Sequence, residues 1–162
     1  MDIKNKDIYY RLQTINNSEN HYIKVSDDML KSDMYKLCTP YERNLILQMT
    51  MQLYNGNYNR LQLKNPNSPL NKKYRFLKQA IIQIQQELNI PKEDIKEIIF
   101  TFSSDERKKL GIYDNTFNNA KNNLIKYGFI GEIKAHKKGL MNIYYISDKW
   151  KSKKKSDFIL KG

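Results

Sequence analysis

Hydrophobic positions recur along this chain at two spacings, and the alternation between them predicts its elements. Leu45, Met49 and Leu53 fall four residues apart with Ile46 beside them. That spacing makes one apolar face of a helix about four turns long. Thr39, Pro40 and Glu42 precede it as an N-cap, a proline at the first helical position and a capping-box carboxylate. Asn55-Gly56 follows as a stop signal, so a helix is expected over 39–54. Tyr74, Leu77, Ile81, Ile84 and Leu88 repeat at threes and fours and predict a second helix over 72–88, which Pro91 ends. This stripe resembles an a/d seam but lasts only two heptads, so core packing is preferred and a homodimer seam is the alternative. Two runs have strand character instead: His21–Val25 alternates, and Ile98–Phe102 is β-branched and aromatic. The stretch 55–71 holds two of the four prolines and reads as a loop insertion. Residues 1–20 are polar and Asn-rich and read as frayed or loosely docked. Ser26, Asp27 and Asp28 mark a single helical turn or connector.

The densest pattern lies between Ser103 and Trp150. Ser103 and Glu106 form a second capping box, and Gly111 closes that short helix after Leu110. Asp114 is placed to cap the next helix, which runs to Tyr127 and ends at Gly128. A three-residue linker, Gly111-Ile112-Tyr113, suits a helix-turn-helix. Phe129–Ile133 and Asn142–Ile146 then read as two strands around the loop 134–141, where Gly139 suits a turn. Helix, strand, helix, helix, strand, wing, strand is the winged-helix order. Either 39–54 or 72–88 supplies the first helix. The predicted class is α+β, mainly helical: a winged helix-turn-helix domain at 39–150, a short N-terminal extension at 1–38 carrying one strand, and a basic tail at 151–162.

Helical geometry divides 114–127 into two sides. Phe117, Ala120, Leu124 and Tyr127 cluster on one and should face the core. Asn115, Asn118, Asn119, Asn122 and Lys126 lie on the other, with Thr116 nearby. A solvated helix face ordinarily mixes Glu and Lys, and this one is almost all carboxamide. Asn can donate and accept together and pair bidentately with adenine in the major groove, so this face is the candidate for base reading.

Charge sharpens that picture. Lys plus Arg total 29 against 17 acids, a formal net charge of +12, which suits a polyanionic partner. The bland alternative is a Lys-, Asn- and Ile-rich composition inherited from an AT-rich genome. The excess is not uniform, however. Lysines 134, 137, 138, 149, 151, 153, 154 and 155 face a single acid in that stretch, Asp148. Lys134, His136, Lys137 and Lys138 at the hairpin tip, with Lys151 and Lys153 in the tail, are the expected phosphate contacts. Lys72, Lys73, Arg75 and Lys78 form a second basic cluster with a weaker claim. Trp150 is expected to pack against the hairpin.

No catalytic constellation accompanies this surface, so an enzyme is not expected. His21 and His136 lack metal-ligand spacing, and the lone Cys38 suits core packing, so no metal or cofactor is expected. The pairs Asp27/Asp28 and Glu93/Asp94 suit helix starts. No Gly-rich phosphate loop is present. The N-terminal MDIKNKDIYYRLQ lacks the apolar core of a signal peptide, and no run reaches the ~18 apolar residues of a membrane span, so a cytoplasmic protein without membrane contact is expected. RNA binding is disfavoured because the aromatics fit core positions rather than an exposed sheet.

The helix around Thr116-Phe117, then LIKYGFI, a basic hairpin and NIYYISDKWK, is similar to winged-helix proteins encoded by plasmids, phages and conjugative elements of low-GC Gram-positive bacteria. The segment HYIKVSDDMLKSDMYKLCTPYERNLIL resembles the opening of plasmid replication initiators of the RepA N-terminal type. The resemblance implies double-stranded DNA binding at an origin, operator or transfer origin, with the recognition helix at Asp114–Tyr127 and the wing at Phe129–Ser147. It also implies contact with replication or transfer machinery. The chain is short beside full-length initiators and carries no recognisable helicase-recruiting domain, so an accessory role in plasmid replication or conjugative transfer is the expectation. A transcriptional repressor, or a winged-helix adaptor that binds protein instead of DNA, is the alternative.

Overall fold

In a computed structural model, residues 7–12, 21–54, 71–95, 97–136 and 140–158 are described. The N-terminal region corrects the first expectation. Asp7–Leu12 is a strand, β1, pairing antiparallel with β2 (His21–Ser26) in the register Asp7↔Ser26 to Leu12↔His21. Its Ile8, Tyr9 and Tyr10 suit a pleated surface, but the pairing that ordered them is non-local. Ser26 then caps α1 (Asp27–Lys31), accepting from the Met29 amide at 3.1 Å. Ser32 does the same for α2 (Asp33–Leu37) through Tyr35, a helix the periodicity did not reveal.

Helix α3 (Pro40–Tyr54) opens as expected. The Thr39 amide donates to Glu42 Oε1 at 3.0 Å, and the Glu42 amide donates to Thr39 Oγ1 at 3.2 Å. The expected loop insertion lies outside the described residues up to α4 (Asn71–Leu88), and a short α5 (Lys92–Ile95) follows. Strand β3 is only Ile99–Phe100, shorter than the expected 98–102, although Thr101 and Phe102 are also buried. The remaining elements are α6 (Ser104–Lys109), α7 (Asp114–Tyr127), β4 (Ile130–Ile133) and β5 (Ile143–Ile146). The fold class is therefore α+β and mainly helical, as expected.

Strand β5 lies between β3 and β4, antiparallel to both, with Phe100↔Tyr144 and Ile130↔Ile146 among the partners. Alternation along these strands divides the core. Phe100, Ile130 and Tyr144 join Met34, Cys38, Leu45, Ile46, Met49, Phe117 and Leu124 in one cluster. Ile99, Ile133, Ile143 and Tyr145 join Phe76, Leu77, Ala80, Ile81, Ile84 and Ile95 in the other. The sheet thus separates α3 and α7 from α4. Helix α3 packs on α7, and of the two long early helices it is the one that shares the first cluster with α7. Leu77, Ile81 and Ile84 are buried within the chain, each worth about 1.5–3 kcal/mol on the usual transfer scale. Core packing, the preferred reading of the seam, thus holds for Leu77, Ile81 and Ile84, with Leu88 half-buried beside them. The Tyr74 side chain lies outside the described residues. Met34 and Cys38 show that the 25–38 segment shares its core with α3.

Candidate nucleic-acid interface

Local hydrogen bonding sets the turn between α6 and α7. The Ser103–Glu106 capping box is complete, at 2.8 and 3.2 Å. At the other end Gly111 takes φ +73°, its amide donates to Lys108 O, and the Ile112 amide donates to Arg107 O at 2.9 Å. This is a Schellman closure, with buried Ile112 as its apolar stop. Helix α7 ends in the same way. Gly128 is left-handed, its amide reaches Ile125 O, the Phe129 amide reaches Leu124 O at 3.0 Å, and Phe129 is buried.

Asp114 is not the cap that the sequence suggested. The N-cap is Tyr113, which makes no side-chain capping bond, and Asp114 is the first helical residue. Its carboxylate is drawn instead to Arg107, whose Nη2 donates to Oδ1 at 2.8 Å. That hydrogen bond holds the Asp114 carboxyl below the usual carboxylate range. Arg107 also donates to Phe102 O at 2.8 Å and lies 4.1 Å from the centre of the Phe117 ring. One guanidinium therefore joins α6, the segment that follows β3 and the start of α7.

The two faces of α7 fall where helical geometry puts them. Phe117, Ala120 and Leu124 are buried and Tyr127 is half-buried. Asn115, Thr116, Asn118, Asn119, Asn122 and Lys126 are exposed. Two polar residues of the helix bond to neighbouring elements instead, one buried and one exposed. Lys121 is buried against Glu132, and the Asn123 amide donates to Glu42 Oε2 at 3.1 Å, tying α7 to the capping box of α3.

The predicted cations separate into groups. Lys134 and His136 are exposed where the chain leaves β4, while Lys137 and Lys138 lie outside the described residues. The tail is not a loose extension as far as Phe158. It makes two 3-10 turns, Lys149–Ser152 and Lys155–Phe158, and folds back. Trp150 stacks on Phe129 at 6.0 Å, and Phe158 meets Tyr127 edge-on at 5.4 Å. Lys153 Nζ donates to the Lys126 carbonyl at 2.6 Å, near the negative end of the helix. Lys126 and Lys153 both lie over the Phe158 ring, at 5.3 and 5.7 Å. Lys151 is exposed, 3.9 Å from Asp148. Lys126, Lys151 and Lys153 thus gather at the C-terminal end of α7, apart from the hairpin pair.

Sequence reasoning missed Lys108, Lys109 and Tyr113. All are exposed at the turn, Tyr113 by 69 %, immediately before the amide face. The run KKLGIY carries the signal, two cations and an aromatic flanking the turn glycine. Among the described residues, no group of three His, Cys, Asp or Glu side chains is placed to hold a metal. Nor is any described helix long and apolar enough to cross a membrane. Comparison with known protein families, curated proteins and solved structures finds no match for this chain.

Proposed function

We propose that this chain binds double-stranded DNA as a winged helix-turn-helix, with α7 in the major groove and lysines beside it on the phosphates. The observation that carries the reading is the outward face of α7. Asn115, Asn118, Asn119 and Asn122 are all exposed there, and the one acid of the helix, Asp114, is paired with Arg107. A face of carboxamides contributes little to solubility beyond what Glu and Lys would, but it matches the donor and acceptor pattern of adenine. Supporting it are the order α3, β3, α6, α7, β4, β5 and the rigid Schellman turn before the helix. Lys108, Lys109, Lys126 and Lys151 then lie at the two ends of the reading helix, where backbone contacts fix register.

The resemblance to mobile-element proteins makes plasmid replication or conjugative transfer the process we favour, with repression of a promoter as the alternative. A protein-binding adaptor is the second reading. Exposed Leu110 and Tyr113 favour it, since a turn that only contacts phosphates does not need them.

Fluorescence anisotropy on a random duplex at increasing salt tests the reading, because each neutralised phosphate contributes a slope of about −0.9 in log K against log salt. Affinity that is absent, or that ignores salt, would leave the adaptor. Selection of bound sequences from a random library supplies the site. Replacing Asn118, Asn119 and Asn122 together by Ala should erase preference for that site while leaving random-duplex affinity nearly unchanged. If preference survives, α7 is not the reading element.

A further inference from the structure

The buried polar residue of α7, Lys121, leads to a second role. Lys121 Nζ sits 2.8 Å from Glu132 Oε2 on β4, with side chains only 9 % and 4 % exposed. The same carboxylate oxygen accepts from Asn142 Nδ2 at 3.2 Å, and Asn142 Oδ1 accepts from the Ala135 amide at 3.0 Å. Pairing of β4 with β5 stops at Ile133↔Ile143. Beyond that point the Asn142 side chain continues the contact between the two arms. An unbroken polar chain therefore runs from α7 through β4 to the residues where the hairpin loop departs and returns.

Burying two charges is costly, and an apolar pair of similar volume is often as stable or more so. Packing alone therefore gives no reason for ions at this place. What an ion pair with a shared carboxylate supplies is direction. Glu132 oriented by Lys121 orients Asn142, and Asn142 sets the path of Ala135, between exposed Lys134 and His136. Apolar contacts between the same elements would tolerate sliding.

We propose that Lys121, Glu132 and Asn142 are positioning residues that hold the root of the hairpin in fixed register with α7, so that base reading and phosphate contact by the hairpin act as one unit. The inference rests on the DNA-binding reading above. It predicts that the two contact regions are energetically coupled, and that the coupling travels through this network.

A double-mutant cycle of Asn119→Ala and Lys134→Ala on the selected duplex measures that coupling. In the otherwise unaltered chain, the losses in Kd should depart from additivity by about fivefold, as for physically linked positions. In a Lys121→Met/Glu132→Leu background, which leaves the Asn142 amide and the Tyr144 hydroxyl without Glu132, the protein should stay folded and keep its affinity for random duplex, yet the two losses should become additive. A merely structural ion pair would leave the cycle unchanged, and that result overturns the proposal. So does additivity in the unaltered chain. Asn142→Ala, which leaves both charges in place, should also remove the coupling and stands in if the apolar pair does not fold. An unaltered chain that binds no duplex would sink the DNA-binding reading itself, and the inference with it. Duplex binding with a persistent coupling sinks the inference alone.

Discussion

Replacing Gly128 by alanine separates two effects that usually come together at a helix C-terminus. Gly128 and Gly111 occupy the same left-handed region, at φ +87° and +73°. A Cβ costs about 1–2 kcal/mol in that conformation wherever it occurs. Their surroundings differ. A Cβ on Gly111 would meet nothing within 4 Å, whereas one on Gly128 would lie 2.6 Å from Trp150 N and 2.8 Å from the Lys149 carbonyl carbon. Those are backbone atoms, so the clash cannot be relieved by a rotamer. The returning segment must move, and with it go the Trp150 amide bond to Gly128 O and the stack of Trp150 on Phe129. Losing the packing of a buried large aromatic costs about 3–5 kcal/mol when complete, and partial loss is the expectation here. Gly111→Ala should therefore cost about 1–2 kcal/mol and Gly128→Ala about 3–5 kcal/mol. Urea unfolding measures both. Trp150 is the only tryptophan, so native-state emission reports the displacement directly. It should shift to the red in Gly128→Ala and stay put in Gly111→Ala. Equal losses with equal emission would refute the idea that the C-terminal segment is docked against this turn.

Phe158→Ala should release Lys126 and Lys153 and cost about 1.5–3.5 kcal/mol, from two exposed cation–π contacts of about 0.5–1 kcal/mol each and an edge-on contact with Tyr127 of about 0.5–1.5 kcal/mol. Limited trypsin digestion should then cut among Lys151, Lys153, Lys154 and Lys155 well before the unaltered protein does. Stability should also fall as pH rises above about 9. Burial pushes the Cys38 thiol from 9.0 up to about 12, so from pH 9 upward the unfolded chain loses a proton that the folded chain retains, and the equilibrium moves toward unfolding. Tyr144 and Tyr145, also raised chiefly by burial, deepen the loss above pH 10. Urea midpoints across this range should decline less steeply in Cys38→Ala, and a flat profile in the unaltered chain would contradict the buried thiol.

What was legible in the sequence was local. The Thr39–Glu42 and Ser103–Glu106 boxes and the stops at Gly111 and Gly128 each depend on residues within one turn of a helix, so spacing reveals them. Strand β1 was not legible, because Ile8, Tyr9 and Tyr10 become a strand only by pairing with Lys24, Ile23 and Val25. Asp114 misled for a different reason. Its position suited a cap, but the guanidinium of Arg107, seven residues earlier, competes for its carboxylate and wins with a charge-assisted bond. The tail misled because its lysines suggest a solvated extension, whereas Trp150 on Phe129 and Phe158 on Tyr127 hold it to the end of α7.

Lys121 shows how far the charge count can be carried. At about 100° per residue it falls roughly 40° from Phe117, between that ring and half-buried Ile125 at the edge of the apolar arc of α7. Geometry alone would have buried it, and its charge argued for the surface. The partner that reconciles the two, Glu132, is on another element. Buried and neutralised, Lys121 adds nothing to the field that draws a polyanion. Lys153 differs, since bonding to a carbonyl leaves its charge intact. The salt dependence of DNA binding should therefore follow the surface lysines, not the formal +12. Removing Lys134 should lower the slope by about 0.9, one phosphate's worth. Removing Lys121 together with Glu132 should leave the slope unchanged while selectivity falls, because that pair acts on register and not on phosphate.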